Sequence, residues 1–184
     1  MVPMNSDAVQ TFSALLALVA LAGGLITFLS LGVRASWANT WLATVREYGV
    51  WAMCAITSTA MIGSLYFSES VGYAPCKLCW YQRIAMYSIA IISFVAAIRK
   101  DNNIARYTVV LAPIGLLVSV YHYLLEWGVI NESNVCSLDV PCTSIWFREF
   151  GFVTLCFMAG CAFVAVIAFS IALLRAQPTS SQED

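Results

Sequence analysis

Five apolar runs, at about residues 11–33, 49–67, 78–98, 107–127 and 151–174, occupy most of this 184-residue chain. Each is close to the roughly 20 residues that cross a hydrocarbon core about 30 Å thick. An unpaired backbone group in lipid costs several kcal/mol, and a helix satisfies its own groups internally. The runs therefore predict an all-α integral membrane protein. Composition agrees: 61% of residues are hydrophobic and 10% charged, against about 45–50% and 25% in soluble domains. No length remains for a second soluble domain, and a net charge of −1 offers no basic face to nucleic acid.

The first run reads as a retained span and not a cleaved leader, because residues 1–10 carry Asp7 as their one charge and lack a basic segment. Five spans then sort the nine basic residues. Arg34, Arg46, Arg99, Lys100, Arg106 and Arg175 fall on one side, and Lys77, Arg83 and Arg148 on the other. Cytoplasmic loops carry the excess of Lys and Arg, so the expected arrangement has the amino terminus outside and the carboxyl terminus in the cytoplasm. The segments near residues 73–79 and 128–150 both face outward.

Those two segments hold four of the seven cysteines, Cys76 with Cys79 and Cys136 with Cys142. Disulfides persist outside the cytoplasmic membrane and are rare within the cytosol, so charge and cysteine placement point to the same side. Cys76-x-x-Cys79 opens the third run. Its first sulfur is expected at the positive end of a helix, where a thiol pKa falls and the thiolate becomes both nucleophile and leaving group. Lys77 adds a cation, and Arg83, four residues beyond Cys79, falls on the same helical face. An arginine inside a span marks a functional site or an anchor reaching for the interface. The five-residue spacing and Pro141 between Cys136 and Cys142 suggest a small disulfide-closed loop. Cys54, Cys156 and Cys161 read as small apolar residues, the last two about 140° apart around their helix.

Each motif also has a plainer reading. A lone C-x-x-C is half a zinc site or a structural staple as readily as a redox pair, and Cys136/Cys142 can be an ordinary loop staple. Four outward thiolates could hold zinc, although a second C-x-x-C is missing and a neighbouring arginine suits an anion better. Two movable dithiol pairs side by side are what a disulfide relay needs, because exchange proceeds by attack of a thiolate on a disulfide sulfur. Trp80 and Tyr81 read first as interfacial anchors. His122, the one histidine, is an interfacial hydrogen bonder or a proton donor. Residues 144–150, mixing aromatic and charged side chains, predict a short helix lying in the interface.

Cys76-Lys77-Leu78-Cys79-Trp80-Tyr81-Gln82-Arg83 resembles the signature of the DsbB family of membrane disulfide-bond formation proteins. It is most similar to the short BdbC-like branch, in which C-x-L-C-W-Y-Q-R is typical. Tyr121-His122-Tyr123 and the closely spaced Cys136/Cys142 pair are similar to that branch as well, and the resemblance covers about residues 49–174.

The resemblance implies a four-helix redox bundle at residues 49–175. Residues 1–48 would then form an additional amino-terminal transmembrane helix and a cytoplasmic linker, and residues 176–184 a disordered cytoplasmic tail. It implies a membrane oxidoreductase of the bacterial cytoplasmic membrane that reoxidises an extracytoplasmic thioredoxin-fold partner, DsbA-like, and passes electrons to ubiquinone or menaquinone. The catalytic residues would be Cys76, Cys79, Cys136 and Cys142, with Cys79 meeting the quinone and Cys136 forming the mixed disulfide. Arg83, Trp80 and His122 would join Cys79 around the quinone, with no metal. Two other readings stand beside this one. A non-catalytic metal-binding or structural subunit would use the same four thiols. An importer of reductant would need cytoplasmic cysteines, and the loops around residues 34–47 and 99–106 have none.

Overall fold

The computed structural model describes residues 6–131, 136 and 140–176. Of the tail expected to be disordered at 176–184, Ala176 instead closes the last helix, and residues 177–184 lie outside the described residues. The elements in chain order are α1 (Ser6–Gly32), α2 (Ser36–Leu65), a π-helical turn (Tyr66–Ser70), α3 (Lys77–Arg99), a short 3-10 turn (Asn102–Ile104), α4 (Ala105–Glu126) and α5 (Leu155–Ala176). Five of these helices are long and apolar enough to cross a membrane, α2 together with its π turn counting as one. The expected multi-pass helical bundle is the fold observed.

One boundary differs from the sequence expectation. Residues 34–48 read as a polar linker, yet α2 begins at Ser36 and three residues separate it from α1. The polar side chains there occupy the outer face of a continuing helix. Ala38 and Val45 are buried, and the Trp41 indole N–H donates to Thr27 Oγ1 of α1 at 3.0 Å. One buried stripe is enough to extend a helix past the apolar run that announced it.

Helix α5 is the centre of the bundle, with Phe163, Val166 and Leu173 fully enclosed. α1, α2 and α4 pack against it. Two of those contacts need glycine. A Cβ on Gly24 of α1 would stand 2.9 Å from the Ala165 backbone, and one on Gly115 of α4 would strike the Phe163 ring. Small residues of this kind let helices approach closely where lipid offers no hydrophobic drive for association. The Thr108 and Ser170 hydroxyls, 2.7 Å apart, add a buried hydrogen bond between α4 and α5.

Both cysteine pairs sit at one end of the bundle, within a single buried cluster that includes Leu78 and Leu125. Aromatic rings close that end. Tyr73 stacks between Phe67, at 5.9 Å, and Trp146, at 4.9 Å. α1 is tied to the same end, because Gln10 Nε2 donates to the Tyr73 hydroxyl at 2.9 Å and Thr11 Oγ1 to Glu149 at 3.1 Å. The interfacial helix expected at 144–150 is not formed. Trp146 and Phe147 are held by the rings of Tyr73 and Phe67, and Phe150 and Gly151 take positive φ in a tight turn closed by paired backbone bonds between Glu149 and Val153.

Candidate redox site

The site begins at the amino end of α3. Cys76 caps this helix in an extended conformation, and its sulfur accepts the backbone N–H of Cys79 at 3.3 Å. The two sulfurs lie 3.0 Å apart as free thiols. His122 Nε2 is 3.7 Å from the Cys76 sulfur. The hydrogen bond with Cys79, followed by that with His122 and the helix-end N–H, holds the Cys76 thiol well below the usual thiol range despite its burial. Hydrogen bonds to the charged form have this effect. The sulfur that caps the helix is therefore the better leaving group of the pair.

His122 is almost completely buried, and its bonds fix its tautomer. Nδ1 lies 3.0 Å from Gln82 Nε2, and Nε2 lies 3.0 Å from the Cys142 carbonyl oxygen. The carbonyl can only accept, so Nε2 carries the proton and Nδ1 accepts from Gln82. Cys142 is bonded to Cys136 in the second pair, which leaves two free thiols and not four in this cluster. Cys76, Cys79 and His122 have their donor atoms within 4.8 Å of one another, a soft set by type.

On the other side of Cys79 lies a cavity of about 470 Å³ between α1, α2, α3 and α5. Cys79, Arg83 and Tyr87 line it at four-residue intervals, and the rest of the wall is largely apolar, with Leu16, Ile56 and Met86 among its residues. Arg83 spends Nε and Nη2 on Ser64, at 3.0 and 2.9 Å. Ser64 belongs to the last turn of α2, just before the π-helical widening, a feature that often accompanies functional sites. Nη1 of Arg83 is left for another acceptor among the described residues. The Tyr87 hydroxyl is buried beside the cavity with no hydrogen-bond partner among the described residues. The two cysteines thus differ in what they face. Cys79 opens both on this cavity and on the small space beside Val140 and Pro141 of the second loop; Cys76 lines that small space and not the cavity.

Of the residues singled out by sequence, the four cysteines, Arg83 and His122 come together at one end. His122 lies on the Cys76 side and is not in the cavity wall. Trp80 and Tyr81 are half exposed, outside that wall, and Arg83 lies over the Trp80 ring at 5.3 Å. Gln82, Tyr87 and Glu126 were not singled out. For Tyr87 a signal existed, namely its four-residue step from Arg83 along an apolar helix. Glu126 has one carboxylate oxygen buried without a hydrogen-bond partner among the described residues, beside the small space it shares with Cys76 and His122.

The family model described as "Disulfide bond formation protein DsbB" matches residues 46–176. The chain belongs to the DsbB family. Among curated relatives, a "Probable disulfide formation protein" of Oceanobacillus iheyensis is 46% identical over 64% of this chain and 83% of its own length. "Disulfide bond formation protein C" of Bacillus subtilis is 41% identical over 66% and 87% respectively. "Probable disulfide formation protein C 1" of Bacillus anthracis is 36% identical over 71% of this chain and 94% of its own length. No solved structure matches. As a DsbB-family member this chain is a multi-pass membrane disulfide oxidoreductase, and the match begins within α2, leaving α1 outside it.

Proposed function

We propose that this chain is a thiol oxidase of the bacterial cytoplasmic membrane. It reoxidises an extracytoplasmic thioredoxin-fold protein and delivers the electrons to membrane quinone. The observation that carries the reading is the position of Cys79, which lines the cavity with Arg83 and, beside Cys76, also lines the small space next to the loop of the second pair. The excess of basic residues on the opposite end of the bundle supports an outward-facing cysteine end.

The relay balances as follows. A thiolate of the reduced partner attacks the Cys136–Cys142 disulfide, at Cys136. The partner's second thiol then resolves the mixed disulfide, so the partner leaves oxidised and Cys136 and Cys142 become a dithiol. Cys142, packed in the cluster with Cys76, attacks Cys76 of an oxidised Cys76–Cys79 pair and frees the Cys79 sulfur on the cavity side. Cys136 next attacks Cys142 and expels Cys76, whose lowered pKa makes it a ready leaving group. The second pair is oxidised again, and Cys76 and Cys79 hold two electrons and two protons.

The cavity fits a quinone. Its volume lies in the range of small-molecule sites, its walls suit a prenyl chain, and the Arg83 Nη1 suits a ring oxygen. A bound quinone would supply the two-electron, two-proton acceptor that the chain's own residues lack. Arg83 would stabilise negative charge in low-dielectric surroundings, where a fixed cation acts most strongly.

The test is anaerobic. Purified protein is mixed with a reduced thioredoxin-fold protein and ubiquinone or menaquinone, and quinone absorbance is followed. Consumption that disappears in Cys79→Ser is the expected result; no consumption with either quinone defeats the reading. The donor set of Cys76, Cys79 and His122 favours a second reading as a metal-holding subunit, which metal analysis separates.

A further inference from the structure

α1 lies outside the segment that matches the family, and nothing so far accounts for it. The Bacillus anthracis relative is matched over 94% of its own length, so it has fewer unmatched residues than a membrane-crossing helix needs. In this chain α1 does more than pack on the outside. Ser13, Ala17, Ala20 and Gly23, each three or four residues from the last, line the cavity that holds Cys79, Arg83 and Tyr87.

The two adjacent glycines divide the labour of the helix. Gly24 seats α1 against Ala165 of α5, with no room for a Cβ. A Cβ on Gly23 would meet nothing nearer than the Phe169 ring at 3.9 Å. The small side chains on this face therefore leave the cavity its width, while Phe12 and Leu29 on other faces are exposed as lipid-facing residues are. At the cysteine end Gln10 holds Tyr73, which roofs the same cavity with Trp146.

We infer that α1 is the wall that encloses the acceptor site on its lipid side, so that a prenylated quinone is held between α1 and α3. Without α1 that side of the cavity would face the bilayer. This rests on the quinone reading above and deepens it: α1 sets how tightly the acceptor is retained and what girth of prenyl chain is admitted.

The experiment uses the full-length protein in detergent with a prenylated azidoquinone, activated by light, followed by peptide mapping. Quinone carried through purification is quantified alongside. In the unmutated chain, label is expected in the peptide spanning residues 6–32 as well as in α3. Ala17→Phe/Ala20→Phe, which fills the wall, is expected to lower retained quinone about tenfold or more. Leu29→Phe, on the lipid face, should match the unmutated chain in retention. Stoichiometric oxidation of a reduced thioredoxin-fold protein without added quinone shows that each variant is folded. If the unmutated chain retains quinone but labels only α2, α3 or α5, the inference is overturned and the oxidase reading stands. If it neither retains, labels with nor consumes quinone, the oxidase reading itself has failed. The photolabel on the unmutated chain decides the matter even where the double variant does not fold.

Discussion

The Nε2 proton of His122 is shared between the carbonyl oxygen of Cys142, at 3.0 Å, and the sulfur of Cys76, at 3.7 Å. One imidazole thus touches the backbone of one cysteine pair and the thiol of the other, and Gln82 fixes its orientation from behind. In the relay proposed above, the ring would bring the two pairs to a common point and supply a donor to the sulfur that must leave.

A pH profile follows from this. The Cys76 pKa is lowered in the folded protein, so its thiolate persists as pH falls below the roughly 8.5 of an ordinary thiol and is lost only on reaching the lowered value. His122→Ala removes one of the lowering bonds, and thiolate signal should disappear at a higher pH. Thiolate ultraviolet absorbance of the reduced protein, with Cys76→Ser as the blank, reads this directly. The stability linkage has the same sign: the contribution is present above the unfolded pKa and is lost as acid reaches the folded one. An unshifted profile in His122→Ala would remove the imidazole from the account.

Arg83 offers a kinetic test. Arg83→Met deletes the cation and both bonds to Ser64. Hydrogen bonds to charged groups contribute about 1.5–3 kcal/mol, so the quinone KM is expected to rise about 10- to 100-fold. Arg83→Lys keeps the charge without the planar fork and should fall between the two. Initial rates across a quinone titration give the answer.

Packing predicts a stability effect at Gly115. A methyl there meets the buried Phe163 ring, and overpacking of this kind costs about 1–3 kcal/mol. Gly115→Ala should lower the thermal midpoint in detergent by several degrees. Gly32→Ala, which meets nothing within 4 Å, should not.

Metal content separates the two functional readings. Protein purified without chelator is expected to carry far less than one equivalent of zinc, because the second pair is a disulfide. A full equivalent bound through Cys76, Cys79 and His122, lost in His122→Ala, would favour the metal-holding subunit. Elemental analysis suffices.

Much of this was legible in the sequence because lipid simplifies the rules. Apolar length announced all five spans, while the cysteine spacing left redox and metal readings open until the Cys76–Arg83 octapeptide was seen to resemble the DsbB signature. The α2 extension was hidden because its polar face is what a linker also looks like, and only the burial of Ala38 and Val45 tells them apart. Residues 144–150 failed for the opposite reason. Their aromatic residues answer to Tyr73 and Phe67, far away in sequence, and no local pattern reports that. At the site, Cys79 and Arg83 carry chemical signals, whereas Ala17, Ala20 and Gly23 carry none. A small apolar residue matters here only through what stands opposite.

Cys79, Arg83 and Tyr87 share one face of α3 over eight residues, a rise of about 12 Å at 1.5 Å per residue. That rise equals more than a third of a hydrocarbon core about 30 Å thick, so on the proposed reading the site would be a shaft reaching well into the membrane. Depth of that order sorts molecules by reach before it sorts them by redox chemistry. On that reading a water-borne oxidant would stop at the rim near the sulfurs, and an amphiphile standing upright in the leaflet would reach the wall at Tyr87 while keeping its head beside Cys79.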